Sequence, residues 1–224
     1  MYLLITVVGL LASVHAFNLE PRLPLLKLGM KGSYFGYSVS EHQTVDSGTV
    51  IDNLVLVGAP RAQTSQPGTN RSGAVYRCPI STRYDDCTQL NVETETYAPE
   101  KDVLKDDQWL GVTVQSQRPG GFVLVCAHRY VNKGPTYRWG RGICYSLSQF
   151  LDRHRAWEPC ENRPVQKAHE QFGFCQAGTS GIISEESTLV LGAPGPIHME
   201  RYCVHHRGGE NSSWLDLVCQ PLPG

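Results

Sequence analysis

The chain has 224 residues, with 20 Lys and Arg against 21 Asp and Glu, and a formal net charge of −1 at pH 7. This balance argues against nucleic-acid binding, because neutralising phosphates takes a surplus of basic residues on one face. Hydrophobic residues make up 41% of the chain, which excludes a wholly disordered protein. The 22 glycines and 14 prolines predict a globular fold rich in turns.

The first predicted element is a secretory signal peptide over residues 1–16. Leu3 to Ala12 is an almost unbroken apolar run, too short for a bilayer span of about 20 residues. Val14 and Ala16 place compact side chains at the two positions that a signal peptidase reads, which predicts a mature chain starting at Phe17. The alternative interpretation of this run is a short buried segment.

Entry into the secretory pathway makes the eight cysteines candidates for disulfide bonds, because that compartment is oxidising. Eight cysteines allow on the order of 100 pairings, so the sequence leaves the connectivity open. Neither Cys203 nor Cys219 has an assigned partner. Two Asn-X-Ser sequons, at Asn70 and Asn211, predict glycosylation and fit the same route. Short loops favour neighbours as partners: Cys78 with Cys87, Cys126 with Cys144, and Cys160 with Cys175.

Three stretches of the mature chain repeat the same order of short apolar segments. Each stretch opens on a glycine that follows an apolar residue, at Gly36, Gly111 and Gly173. The first and third stretches close on Gly-Ala-Pro, at residues 58–60 and 192–194. The apolar runs are β-branched and bounded by glycine or proline, which favours strands over helices.

Repeated four-stranded units of this kind are typical of the blades of a β-propeller. The alternative is one irregular all-β sandwich whose Gly-Ala-Pro turns recur by coincidence. The shared order of three elements argues against that alternative. We therefore expect an all-β fold that forms an incomplete β-propeller.

The glycine openings and the Gly-Ala-Pro closes resemble the FG-GAP repeats of integrin α subunits. The resemblance covers residues 17–195 and implies about three of the seven blades of that propeller, blades 1 to 3, with the third incomplete. The strings from residue 107 onward are most similar to the laminin-binding class without an I domain. The strings that carry the resemblance are Phe17-Asn18-Leu19 and the stretches 32–39, 70–79, 107–117, 125–130 and 169–175.

The resemblance implies the α subunit of a cell-adhesion receptor, which pairs with an integrin β subunit and binds an extracellular matrix protein such as laminin. It implies a location at the cell surface within a type I membrane receptor, or secretion if the chain ends as written. A truncated soluble or non-functional isoform is the alternative, followed by a secreted propeller lectin or enzyme. Calcium loops of the family lie in later blades, and no Asp-x-Asp-x-Asp-Gly string occurs here, so no cofactor is expected in this part.

The resemblance implies that Tyr37 contacts the β subunit. Tyr37 matches a family position whose ring faces the propeller centre and holds a cation, a contact of about 0.5–2 kcal/mol. We take Val112 and Phe174 as its equivalents in the other repeats. Trp109 is expected, like Phe35 and Phe172, to pack between blades.

No arrangement of residues predicts catalysis, and the chain is not expected to be an enzyme. Residues 178–181 read Gly-Thr-Ser-Gly, which lacks the spacing of a nucleophile elbow. Cys203, His205 and His206 are metal-ligand types, but their spacing fits no standard site. His128, in an apolar run, is expected to be a buried imidazole rather than a pH switch.

Residues 196–224 are predicted to be a divergent tail outside the family pattern. The segment lacks the alternation of a strand and ends in Pro-Leu-Pro-Gly. Three blades alone would expose sheet edges and apolar blade faces, so we expect aggregation rather than a stable secreted head. The alternative is that the tail packs as a cap.

Overall fold

The computed structural model describes residues 24–64, 69–93 and 102–195, together with the backbone of two strands at 201–206 and 215–219. The predicted signal peptide and the sequon at Asn211 lie outside the described residues. Within the described part, the only helices are two 3-10 turns, Ala168–Glu170 and Phe172–Phe174. The strands in chain order are β1 Ser38–Asp46, β2 Thr49–Ala59, β3 Ala74–Pro79, β4 Thr88–Gln89, β5 Val103–Leu104, β6 Thr113–Ser116, β7 Val123–Ala127, β8 Val131–Lys133, β9 Arg138–Gly140, β10 Ile143–Leu147, β11 Arg153–Trp157, β12 Ser180–Ile183, β13 Leu189–Ala193, β14 Arg201–His206 and β15 Leu215–Cys219.

Three four-stranded antiparallel sheets follow one another along the chain. Sheet 1 has the order β1-β2-β3-β4, sheet 2 the order β6-β7-β10-β11, and sheet 3 the order β12-β13-β14-β15. The first strands of the sheets lie side by side, β1 against β6 and β6 against β12. A further small sheet, β5-β8-β9, combines β5, which precedes β6 in the chain, with β8 and β9, which lie between β7 and β10. The all-β prediction is confirmed, and the described sheets form the open series of an incomplete propeller.

The hydrophobic core lies between consecutive sheets. Leu56 and Val75 of sheet 1 pack with Val125 and Tyr145 of sheet 2. On the other side of sheet 2, Leu124 and its neighbours pack with Leu189 and Leu191 of sheet 3. Strand β7 reads as an unbroken apolar run because it has a neighbouring sheet on both faces, as buried strands generally do.

Each sheet begins with the same tight turn around a glycine. The three glycines have φ angles of +91°, +91° and +88°, a left-handed conformation that glycine adopts without a steric penalty. Each donates its N–H to a carbonyl of the second strand of its own sheet, at 3.0–3.1 Å. These opening glycines are Gly36, Gly111 and Gly178, each two residues before a first strand.

The third opening glycine differs from the prediction. Gly173 lies in a 3-10 turn, where a Cβ atom would approach the Trp139 ring to 2.8 Å. Gly178 instead has the positive φ and the strand that follows two residues later. The Phe-Gly string at Gly173 therefore matches the other two openings only in sequence. The glycine with the required positive φ is Gly178, five residues later.

Consecutive sheets are joined by a repeated hydrogen bond. The Ser38 hydroxyl of β1 donates to the carbonyl of Gly111 at 2.8 Å. The Thr113 hydroxyl of β6 donates in the same way to the carbonyl of Gly178 at 3.0 Å. In sheets 1 and 2, the first residue of the first strand therefore contacts the glycine that opens the next sheet.

A second repeated contact lies at the start of the third strand of sheets 1 and 2. Gly73 and Gly142 have φ angles of +89° and +77°. A Cβ atom on Gly73 would lie 2.4 Å from the carbonyl oxygen of Leu110, and one on Gly142 would lie 2.2 Å from that of Ala177. Both glycines are needed because the backbone of the next sheet passes directly over them.

Three disulfide bonds cross-link the described residues. Cys78–Cys87 closes the β3–β4 loop, and Cys126–Cys144 joins directly opposite positions of β7 and β10. Cys160–Cys175 closes the loop that holds the two 3-10 turns. These are the pairs that short loops favour, and they restrain segments of 9 to 18 residues.

Sheet 3 takes its two outer strands from the segment predicted as a divergent tail. Strand β14 pairs with β13, from Leu189 opposite His206 to Ala193 opposite Tyr202, and β15 pairs with β14. That residues 196–224 diverge from the family pattern stays a prediction. Leu-Asp-Leu at 215–217 does alternate, but a signal of three residues is too short to predict a strand.

Candidate functional site

A cluster of four rings, Tyr34, Tyr37, Trp109 and His128, lies across the seam between sheets 1 and 2. Trp109 is at its centre, with ring centroids 6.0 Å from Tyr34, 5.9 Å from Tyr37 and 5.6 Å from His128, all edge to face. Tyr34 is 46% exposed and Tyr37 is 55% exposed. We call these four residues the aromatic face, and its exposed part is the two tyrosines.

The opening turns place these rings. Tyr34 and Trp109 each precede an opening glycine by two residues and have positive φ angles of +57° and +64°. The Tyr34 carbonyl accepts a hydrogen bond from the Tyr37 N–H at 3.0 Å, and the Trp109 carbonyl accepts one from the Val112 N–H at 3.1 Å. A positive φ is uncommon for bulky residues and marks a position that the surrounding structure enforces.

The equivalences within the repeat differ from those predicted. Trp109 corresponds to Tyr34 and not to Phe35, so it belongs to the aromatic face as well as packing against its neighbours. The residue of sheet 3 that corresponds to Tyr37 is Thr179, whose N–H bonds to the Gln176 carbonyl. Phe174 precedes this turn, outside the repeat position assigned to it.

Two arginines already cover part of the aromatic face. The Arg61 guanidinium lies 5.1 Å from the Tyr34 ring centroid, and that of Arg129 lies 5.5 Å from the Trp109 centroid. Asp107 fixes the Arg129–Trp109 pair, because its carboxylate contacts the Arg129 guanidinium and accepts a hydrogen bond from the Trp109 indole N–H, both at 3.0 Å. Within the described part of the chain, no cation lies over Tyr37.

His128 completes the aromatic face as a neutral ring. Burial and the nearby Arg129 charge both disfavour the imidazolium, and burial is the larger effect, so the pKa of His128 lies below its ordinary value. Its Nδ1 atom is buried and has no hydrogen-bond partner among the described residues. A neutral His128 adds no charge to a face on which two arginines already lie.

A cavity of about 360 Å³ adjoins the aromatic face on the side of sheet 3. Its walls combine apolar side chains with the ion pair of Asp107 and Arg129. Phe174, which is 45% exposed, lines this cavity. The aromatic face therefore continues into a shallow depression rather than ending at Trp109.

The described residues hold no group of three or more His, Cys, Asp or Glu side chains that could bind a metal ion. The side chains of Cys203, His205 and His206 lie outside the described part. No helix among the described residues is long and apolar enough to cross a membrane.

The sheets and their glycine openings define the class: an incomplete β-propeller with FG-GAP-type repeats. No protein-family model matches the chain. It is 40% identical to integrin alpha-7 of Homo sapiens over 193 residues, 80% of this chain and 16% of that protein. It is 38% identical to integrin alpha-6 of Gallus gallus over 214 residues, 90% of this chain and 19% of that protein. Integrin alpha-3 of Cricetulus griseus is 40% identical over 190 residues, 80% of this chain and 18% of that protein.

These similarities confirm the resemblance: the chain is a homologue of integrin α subunits. It spans less than a fifth of the length of the curated relatives that it matches.

Proposed function

We propose that the chain is an extracellular head portion of an adhesion-receptor α subunit and that its aromatic face receives an integrin β subunit. The homology to integrin α subunits supports the pairing. The observation that carries the proposal is Tyr37, whose ring is exposed and contacts Trp109 of the next opening turn.

The chemistry of the aromatic face favours a cationic side chain as the inserted group. Aromatic faces attract a desolvated guanidinium or ammonium by about 0.5–2 kcal/mol. Tyr34 and Trp109 already carry Arg61 and Arg129 of the chain itself. Tyr37 is the ring that remains open within the described residues, and we assign it to the cation of the partner.

An extracellular matrix protein is the proposed ligand of the assembled receptor, with laminin as the specific candidate. The similarity to integrins alpha-7, alpha-6 and alpha-3 and the strings at 107–117 and 125–130 support this choice. The proposed location is the secretory pathway and the cell surface. The three disulfides fit an oxidising compartment.

Tyr37→Ala is expected to weaken co-precipitation of the chain with a co-expressed integrin β subunit by roughly fivefold, because about 1 kcal/mol of cation–π attraction is lost. Tyr84→Ala is the matched control, since Tyr84 is 56% exposed but lies in the Cys78–Cys87 loop, away from the aromatic face. Equal recovery of the β subunit with Tyr37→Ala and with the unmodified chain would reject the role of Tyr37.

Asn70 is proposed to carry an N-linked glycan. The residue is exposed, and its backbone N–H donates to Asp106 at 2.7 Å, which fixes the loop that presents the side-chain amide. Asn70→Gln is expected to remove one glycan mass from the secreted protein in mass spectrometry. An unchanged mass would show that this sequon is unused.

A further inference from the structure

The cavity beside the aromatic face has walls whose charges cancel. Asp106 and Asp107 contribute two carboxylates, and Arg129 and Arg138 contribute two guanidinium groups. His128 adds no charge, because burial lowers the pKa of its imidazole. The volume of about 360 Å³ lies within the range of about 300–1,000 Å³ that is typical of ligand sites. These walls favour a ligand that is polar but carries no net charge.

Part of the polar lining has no partner within the described residues. Asp107 and Arg129 pair with each other at 3.0 Å. Arg138, by contrast, forms no ion pair with any described residue. The Gln176 side-chain amide likewise has no hydrogen bond in that part of the chain. A guanidinium group and a carboxamide are therefore available to the hydroxyl, carbonyl and amide groups of a ligand.

Phe174 gives the cavity one exposed aromatic wall. Its ring is 45% exposed and is contacted edge to face by Trp139, at a centroid distance of 6.3 Å. Trp139 is itself fixed by stacking on Tyr137, at a centroid distance of 5.6 Å. A pyranose ring presents a face of C–H groups and a rim of hydroxyl and amide groups, so it matches an apolar ring bordered by polar side chains. The lining therefore indicates a carbohydrate as the class of ligand.

The sequon at Asn70 lies at the rim of this cavity. The Oδ1 atom of Asp106, which lines the cavity, accepts the backbone N–H of Asn70 at 2.7 Å and that of Arg71 at 3.1 Å. The Asp107 N–H in turn donates to the Arg71 carbonyl at 2.8 Å. Asn70 is exposed. A sugar attached to the Asn70 side chain therefore starts beside the cavity wall.

We propose that the cavity holds the first sugar residues of an N-linked glycan on Asn70. This placement rests on the proposed glycosylation of Asn70. The first N-acetylglucosamine rings stack on Phe174, and their hydroxyl and acetamide groups bond to Arg138 and Gln176. The glycan is then ordered against the protein instead of extending freely into solvent from the surface. It also covers the depression that borders the aromatic face.

Endoglycosidase cleavage of the secreted chain tests this placement, because the enzyme cuts between the first two N-acetylglucosamine residues and needs them exposed. The chain is produced with high-mannose glycans, and the loss of mass at the Asn70 peptide is followed over time. Phe174→Ala is expected to speed cleavage of the folded chain roughly tenfold, since cleavage tracks the population in which the glycan is released. Phe150→Ala is the matched control, because Phe150 is 60% exposed but lies in the β10–β11 loop, outside the cavity lining. Equal acceleration by Phe150→Ala would indicate a general loosening of the fold and would overturn the placement.

Arg138→Ala is the second variant, because it changes an exposed side chain and leaves the aromatic packing intact. It is expected to speed cleavage roughly threefold, through the loss of one hydrogen bond to the sugar. Circular dichroism spectra that match the unmodified chain show that the variants are folded. An Asn70 peptide without a glycan would overturn both the glycosylation and its placement. A glycan cut at one rate in the unmodified chain and in both cavity variants would overturn the placement alone, and neither result bears on pairing with a β subunit.

Discussion

Replacing Glu93 with alanine is expected to lower the free energy of unfolding by about 3–5 kcal/mol, because the change leaves a buried charge without its partner. Glu93 is 8% exposed. Its Oε1 atom accepts from the Tyr145 hydroxyl at 2.6 Å and from the Lys105 ammonium at 3.0 Å, and its Oε2 atom accepts from the Gln108 amide at 3.0 Å.

When the carboxylate is removed, its three hydrogen-bond donors have little access to water as a replacement acceptor. Gln108 is fully buried, Tyr145 is 2% exposed, and the Lys105 side chain is 12% exposed. Burial is the main cause that raises the pKa of Tyr145 well above its ordinary value, with the Glu93 charge adding to it. The Tyr145 hydroxyl therefore keeps its proton and needs an acceptor, which only Glu93 provides among the hydrogen bonds described.

Urea unfolding of the secreted chain with its disulfides intact measures this loss. Asp85→Ala is the control, because the Arg83–Asp85 pair is 3.5 Å long with both side chains largely exposed, and such pairs contribute little. The control is expected to stay within about 0.5 kcal/mol of the unmodified chain. A Glu93→Ala variant that also stayed within that margin would show that the buried cluster does not hold sheets 1 and 2 together.

Gly111→Ala is the second substitution with a large expected effect, a loss of about 3 kcal/mol in the free energy of unfolding. Adopting a positive φ costs an alanine about 1–2 kcal/mol, and overpacking adds about 1–3 kcal/mol. A Cβ atom here would lie 2.6 Å from the Ala74 carbonyl oxygen and 3.1 Å from the Gly58 Cα atom. Both are backbone atoms of sheet 1, which cannot move aside as a flexible side chain would.

Gly36→Ala separates the two costs, because Gly36 has the same φ of +91° and the same place in the repeat, but an added Cβ would meet no atom within 4 Å. Gly36→Ala is expected to lower the free energy of unfolding only by the cost of placing an alanine at a positive φ, about 1–2 kcal/mol. Urea unfolding of both variants gives the difference directly. Equal losses would contradict the close packing of sheet 2 on sheet 1.

The sequence predicted the repeats well because glycine is the residue that their turns require. Gly36 and Gly111 were predicted from the sequence alone, since each follows an apolar residue and opens one of the repeated stretches. Gly178 was missed because the Phe-Gly string at Gly173 is the better match in sequence, and nothing in the sequence shows which of these two glycines has the positive φ. Trp109 was assigned to packing because its equivalence to Tyr34 depends on the shape of the turn.

The buried cluster around Glu93 could not be predicted from the sequence for a different reason. Glu93 lies in a polar stretch without periodicity, next to no recognisable motif. Its partners are 12, 15 and 52 residues away in sequence. Such a cluster exists only once two sheets have packed, so nothing local in the sequence indicates it.

Binding of the purified chain to an immobilised integrin β-subunit ectodomain, measured by biolayer interferometry, tests the central claim most directly. The aromatic face predicts saturable binding that is roughly fivefold weaker for Tyr37→Ala and unchanged for Tyr84→Ala. Failure of the folded, disulfide-bonded chain to bind, or equal binding by the Tyr37→Ala variant, would contradict the proposed role of this surface.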